Sequence, residues 1–340
     1  MKGAHTMLGV GIRGTGQVAV QHVKAIEANG KAEVVAICGR SVEHASRFAA
    51  TYAPNAKVYV HYEDMLSDER VSIVSECMPN YLHASEGILA LEAGKHLMLE
   101  KPAGINFEET RLLSLAAQAS DRKTVVSFVL RWHPMVRNIK RMLDNGAFGR
   151  VYYAEADYWH GISPKFNSYP WIRKKEFAGG AMITGGSHAV DILRYLHGEI
   201  REVHAYAVGT RDDFDYPTTY VAALQFSDGS VGKTSVSLDG LHSPYQFNID
   251  LLGTKGLCRD NRFYASDLFP HQDGWMQFSC GTPNSGSVAH HPFKEEFDNL
   301  VDAILEDVPV LCTVEDGCRS MDVVHAINRS VVEGKPVEVE

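Results

Sequence analysis

The first third of the chain alternates short apolar, β-branched runs with stretches of helical pattern. Strands are predicted at Leu8–Ile12, Glu33–Cys38, Lys57–Val60, Ser72–Cys77, His96–Leu99 and Thr124–Leu130. Between them, Gly16–Ala28, Val42–Tyr52, Tyr62–Leu66, His83–Ala93 and Phe107–Ala119 read as helices, the first closed by Gly30 and the fourth by Gly94. Such alternation implies right-handed crossovers and a doubly wound parallel sheet covered on both faces.

The pattern changes near Gly149. Arg150–Trp159 reads as a long aromatic strand, followed by a helix around Gly186–Leu196. Strand-like runs follow at Glu202–Val208, Thr219–Phe226, Val231–Leu238 and Phe247–Leu252. Turn signals separate them at Ser227-Asp228-Gly229, Asp239-Gly240 and Gly253-Thr254-Lys255-Gly256, which predicts an antiparallel meander. Residues 261–291 are rich in Gly, Pro, Ser and His and read as a long loop. Helices over Phe293–Glu306 and Val314–Val332 close the chain. The expected fold is α/β. Residues 1–130 form the parallel domain, to which closing helices are free to return, and residues 131–340 form an α+β domain with an open, mainly antiparallel sheet.

Composition narrows the function class. A length of 340 residues, 45% of them hydrophobic and 22% charged, suits two globular domains. The net charge of -9, without any Lys/Arg block, speaks against a nucleic-acid partner. No run approaches the ~20 apolar residues of a membrane span. None of the six cysteines forms a C-x-x-C pair or a zinc-spaced cluster with histidine, so reduced thiols and no metal are expected. With no signal-peptide core before the first strand, these features lead us to expect a cytoplasmic protein.

The glycine-rich turn carries the first chemistry. Gly11-Ile12-Arg13-Gly14-Thr15-Gly16-Gln17-Val18-Ala19 follows the first strand and opens the first helix, and Gly14, Gly16 and Ala19 fit G-x-G-x-x-A. Glycines let the backbone approach a pyrophosphate, and the helix N-terminus offers it free N–H groups and a positive dipole end. Strand before and helix after are the context a dinucleotide site requires. Gly11, Gly14, Thr15, Gly16, Gln17 and Val18 are therefore cofactor-binding candidates. A preference for NAD calls for Asp or Glu at the end of the second strand. That strand instead ends Ile37-Cys38-Gly39-Arg40-Ser41. Arg40 can grip a 2′-phosphate bidentately and Ser41 can add a hydroxyl, so NADP is expected ahead of NAD.

Four further motifs stand in order: Pro79-Asn80-Tyr81-Leu82-His83, Glu100-Lys101-Pro102, Arg131 after the sixth strand, and Gly179-Gly180-Ala181-Met182-Ile183-Thr184-Gly185-Gly186-Ser187-His188-Ala189-Val190-Asp191. Together with the glycine turn they resemble the Gfo/Idh/MocA family, which includes glucose–fructose oxidoreductase and inositol dehydrogenase. The resemblance spans nearly the whole chain, to Ser330-Val331-Val332-Glu333-Gly334-Lys335-Pro336-Val337 near its end. It implies a Rossmann domain and an α/β domain, with substrate held between them. It also implies a homodimer or homotetramer through the exposed sheet face, and hydride transfer between NAD(P) and a hydroxyl or carbonyl of a sugar, glycoside or cyclitol. An NAD-dependent glycosidase with a tightly bound cofactor and a non-catalytic NAD(P)-binding regulator are the rival readings.

The resemblance assigns Lys101 to proton transfer, touching both nicotinamide and substrate, and a buried lysine with a lowered pKa can take a hydroxyl proton. It places Pro79, Asn80, His83 and Glu100 beside the cofactor and His188 beside the reacting carbon. Pro102 is expected to follow a cis bond, as family members often show. Arg131 is a candidate for the nicotinamide end or a substrate oxygen. Asp191, one helical turn from His188, is a candidate to orient it. Many sugar- and inositol-oxidising relatives carry Asp four residues before the histidine, where this chain has Thr184, which can hydrogen-bond a hydroxyl but brings no carboxylate. His133, Tyr158, Trp159, His160 and Trp171 are candidates to line the substrate cleft through stacking and hydrogen bonds.

Overall fold

A computed structural model describes residues 7–239, 245–284 and 291–340. The chain divides into two compact units. The first runs to Phe128 and takes up Pro292–Cys318 again, and the second comprises Val129–His291 and Arg319–Glu340.

In the first unit, apolar runs bury on both faces and form a parallel sheet. Its strands are β1 (Leu8–Arg13), β2 (Ala32–Cys38), β3 (Lys57–Tyr59), β4 (Ile73–Glu76), β5 (His96–Leu99) and β6 (Thr124–Val126), in the order β3-β2-β1-β4-β5-β6. Val10, Ile12, Ile37, Ile73, Val74, Leu97, Met98 and Leu99 are all fully buried, as strands covered on both faces must be. The crossovers are α1 (Gln17–Asn29), α2 (Val42–Tyr52), α3 (Tyr62–Leu66), α4 (His83–Glu92) and α5 (Phe107–Gln118). Gly30 ends α1 in the left-handed region, and Ser41 caps α2 by accepting from the His44 N–H. The winding reverses between β1 and β4, which puts the ligand crevice of such a sheet at their carboxyl ends.

The second unit opens with a 3₁₀ turn over Val129–Trp132 and then α6 (Pro134–Asp144). There follow β7 (Val151–Trp159), the short α7 (Tyr169–Ile172) and α8 (Lys175–Ala178), and a π turn over Met182–Gly186 that leads into α9 (Ser187–His197). The remaining strands are β8 (Ile200–Val208), β9 (Thr219–Phe226), β10 (Val231–Ser237), β11 (Gln246–Gly253), β12 (Gly256–Arg259), β13 (Arg262–Ala265), β14 (Met276–Gln277) and β15 (Val337–Glu338). They form one sheet in the order β14-β13-β12-β11-β7-β10-β9-β8-β15. Helix α10 (Phe293–Glu306) belongs to the first unit and packs on α1. Helix α11 (Val314–Glu333) begins there, where the Val314 N–H donates to Thr124 Oγ1 and the Val126 N–H to the Cys312 carbonyl, each at 3.0 Å.

Three sequence expectations are corrected. The sixth strand stops at Val126 and not at Leu130, because Val129–Trp132 turns into a buried 3₁₀ segment. A short, wholly buried apolar run cannot tell strand from turn. The meander is interrupted: β7 lies between β10 and β11 and pairs with β10 in parallel. Residues 261–291 are not one loop, since Arg262–Ala265 and Met276–Gln277 extend the sheet edge. Among the described residues, no helix is long and apolar enough to cross a membrane.

Candidate active site

The glycine turn leaves β1 and enters α1. Gly14 has φ of 102°, its N–H donates to the Cys38 carbonyl at 2.9 Å, and a Cβ there would lie 2.7 Å from the Cys77 carbonyl oxygen. Only glycine fits that conformation and that approach. At Gly16 the backbone is extended and a Cβ would meet nothing within 4 Å. The start of α1 has no side-chain cap, and the space in front of Gly16 is open. Arg13 is already committed: its Nε and Nη2 both donate to Glu86 at 2.6 Å, and Tyr62 lies under the guanidinium at 5.0 Å. Arg40 Nη2 sits 2.9 Å from His44 Nε2, and Ser41 Oγ 2.9 Å from His44 Nδ1.

Glu100 and Lys101 follow β5. The Glu100 N–H donates to the Glu76 carbonyl at 3.1 Å, which registers the segment against the end of β4. Burial pushes the Lys101 ammonium below the usual lysine range, and Glu100 opposes that shift. The Lys101–Pro102 peptide is cis, in line with the family pattern. His83 is nearly inaccessible, with Nδ1 2.7 Å from the Pro102 carbonyl oxygen and Nε2 2.7 Å from that of Met78. It thereby ties the loop after β4 to the loop after β5. Burial pushes its pKa down, although both carbonyls favour the charged ring.

In the second unit the π turn widens the helix before His188. Gly185 is required there, because a Cβ would stand 2.9 Å from the Tyr158 ring. His188 stacks on Tyr158 with centroids 5.7 Å apart and planes within 15°. Tyr245 meets Tyr158 edge-on at 5.1 Å and His160 at 5.4 Å, and the His291 ring lies 6.0 Å from His188. Tyr158, His160 and His188 are thus brought together, along with Tyr245, which the sequence motifs missed. The signal was register: Gln246 pairs with Trp159, so Tyr245 falls opposite His160. Thr184 is buried, and its hydroxyl donates to the Ala178 carbonyl at 3.1 Å.

Other candidates are placed differently. Asp191 is taken up by Arg131 and Ser320. It is fully buried and accepts from Arg131 Nε at 2.8 Å, Arg131 Nη2 at 2.6 Å and Ser320 Oγ at 2.8 Å. His133 caps α6, accepting from the Met135 N–H at 3.2 Å, and burial pushes its pKa down to about 4. Trp159 points to the opposite face from Tyr158, as strand alternation demands, and donates to Ser235 Oγ at 2.9 Å. Trp171 is half-buried on α7, and among the described residues no ring contact joins it to the His188 group. No set of three or more His, Cys, Asp or Glu among the described residues is placed to hold a metal.

Comparison with known proteins decides the family. Residues 8–128 match the model of an oxidoreductase family's NAD-binding Rossmann fold, and residues 140–339 that of its C-terminal α/β domain. The chain belongs to the Gfo/Idh/MocA family. A Gfo/Idh/MocA relative, D-glucoside 3-dehydrogenase of Escherichia coli (strain K12), is 30% identical over the full length of both chains. Trans-1,2-dihydrobenzene-1,2-diol dehydrogenase of Oryctolagus cuniculus is 27% identical over 72% of each chain. The structure of levoglucosan dehydrogenase with NADH and levoglucosan shares the fold, with a TM-score of 0.88 at 23% identity over 98% of this chain and 100% of that one.

Proposed function

We propose that this protein is an NAD(P)-dependent dehydrogenase of sugar, glycoside or cyclitol hydroxyls in which Lys101 and His188 manage the proton. The observation that carries the reading is the match of residues 8–128 and 140–339 to the two domains of this oxidoreductase family, with Lys101 standing directly after β5 in the Glu100-Lys101-Pro102 motif. The family's dehydrogenases, among them the glucoside and levoglucosan enzymes, support the substrate class. A bound nicotinamide supplies the hydride acceptor. The turn from Gly11 through Gly14, Thr15, Gly16, Gln17 and Val18 holds the pyrophosphate, with Pro79, Asn80, His83 and Glu100 bordering the cofactor. A neutral Lys101 amine takes the hydroxyl proton as the C–H bond breaks. His188, its ring stacked on Tyr158, is the second group to assist proton transfer. Thr184, Tyr158 and His160 contribute to the sugar's surroundings, and Arg131 acts through the segment it braces with Asp191.

The nucleotide preferred is NADP. The end of β2 carries no carboxylate to repel a 2′-phosphate, Arg40 stands there exposed to receive it, and the half-buried Ser41 follows directly. A second copy of the chain covers the sheet face opposite α9. Tyr206, Val208, Val221 and Val231 on that face are 67%, 57%, 43% and 51% exposed, and a hollow of about 620 Å³ lies among Trp159, Thr219, Val221, Lys233 and Ser237. Light scattering on the purified protein tests it, with a monomer excluding that arrangement. The reaction is tested by a panel of sugars, glycosides and cyclitols with both nucleotides, following reduced-nicotinamide absorbance. Substrate-dependent reduction is expected. Glycoside cleavage without net reduction, or no turnover across the panel, would overturn the reading.

A further inference from the structure

We infer that His22 is a positioning residue for proton transfer, holding Glu100 as the fixed negative group beside Lys101. Nothing in the glycine motif calls for a histidine at this point of α1, and the side chain is fully buried. Its ring is gripped from both ends. Nδ1 lies 2.7 Å from Ser75 Oγ on β4, and Nε2 lies 2.9 Å from Glu100 Oε1 after β5. The Phe293 ring of α10 closes one side at 5.1 Å, and Cys77 Sγ stands 3.5 Å from Nδ1. A hydroxyl donating to Nδ1 leaves the proton on Nε2, so the imidazole donates to the carboxylate. An apolar side chain would fill the same volume without burying three polar groups from three elements. The line Ser75–His22–Glu100 ends one residue before Lys101.

Burial pushes the other titratable groups facing Glu100 and Lys101 toward their neutral forms. The Glu296 carboxyl of α10 is pushed well above its usual range by burial and by Glu100 itself. Burial does the same to the Cys77 thiol and, helped by Glu86, to the Glu76 carboxyl. His83 is pushed toward its neutral form. Glu100 is the neighbour that raises the Lys101 pKa against the effect of burial. Without the imidazole donor nothing from α1 holds the Glu100 carboxylate in place, and a displaced Glu100 supports the Lys101 ammonium less. The amine then gives up its proton at lower pH.

The inference rests on Lys101 as the proton acceptor, and its test keeps the two apart. The measurement is the pH dependence of kcat/KM for hydroxyl oxidation in the full-length protein. His22→Leu is expected to move the acidic limb down by about 1 unit, the low end of the ~1–3 units an adjacent opposite charge is worth. Ser75→Ala, which frees the tautomer without opening the site, moves it the same way by less. His22→Gln restores an N–H donor and brings the limb back toward the parent. In a Glu100→Gln background, adding His22→Leu moves the limb no further. Ser75→Ala and His22→Gln carry the test if His22→Leu does not fold. A limb unmoved in the folded His22 and Ser75 variants, or moved further in the Glu100→Gln background, overturns the inference alone. Near-normal turnover in Lys101→Met overturns the proton-acceptor reading and the inference with it.

Discussion

Replacing Gly16 with alanine separates folding from nucleotide binding. The residue has φ of -82° and ψ of -175°, an extended conformation open to alanine, and the added methyl meets no atom within 4 Å. Without ligand, the structure therefore charges nothing for the change. Reduced freedom of the unfolded chain should stabilise the variant by up to ~1 kcal/mol. The methyl instead occupies the space in front of the α1 N–H groups, where a pyrophosphate must come. A charge-assisted hydrogen bond contributes about 1.5–3 kcal/mol, so losing one weakens NAD(P)H binding about 10- to 150-fold. Urea unfolding without nucleotide, beside a calorimetric titration of NADPH and NADH, reads both effects. Gly14→Ala serves as contrast: at φ of 102° with Cys77 O at 2.7 Å, it should lose stability as well as binding. Unchanged nucleotide affinity in a folded Gly16→Ala protein would refute the placement of the pyrophosphate.

Asp191→Ala strands the buried Arg131 guanidinium and should cost about 3–5 kcal/mol in urea unfolding, whereas a cost near that of a surface substitution would mean the pair is dispensable. Acid should destabilise the protein through His133, whose folded pKa of about 4 lies below the ~6.5 of an unfolded histidine. The unfolded chain then takes the proton first, so the contribution of up to about 3 kcal/mol is full above pH ~6.5 and is lost as pH falls toward 4. His96 and His325, also pushed down to about 4 by burial, act in the same sense, and Asp322, pushed up to about 6, opposes them. His133→Asn keeps the cap and removes the titration, so an unaltered pH slope of stability would contradict the assignment. NADPH should bind more tightly than NADH, and Arg40→Ala should narrow the difference by about 1.5–3 kcal/mol in paired titrations; equal or stronger NADH binding by the parent would exclude the 2′-phosphate site.

The first unit was legible because each signal there is local. Period, glycine and cap agree along β1, the turn and α1, and α2 runs over Val42–Tyr52 as expected, with Ser41 as its cap. The second sheet was legible in its strands and not in their order. Whether β10 turns back on β11 or leaves room for β7 depends on pairing across about 80 residues, which no turn signal encodes. Motifs single out His188 and Lys101 as candidates, but motif spacing is silent on what each side chain touches. Asp191 was expected to serve His188 by helical spacing, yet its carboxylate turns to Arg131, 60 residues earlier. His22 and Tyr245 stand outside every motif, and only packing of α1 on the sheet and of β11 on β7 reveals their partners.

The claim on which the account depends is that Lys101 moves the proton, and steady-state kinetics of Lys101→Met beside a nucleotide titration test it most directly. Methionine keeps the aliphatic bulk and removes the amine. Loss of a general base lowers rate by about 10²–10⁴, so kcat on an accepted polyol should fall by that factor while NAD(P)H affinity changes far less. A folded Lys101→Met protein that turns over at near the parent rate would contradict the account.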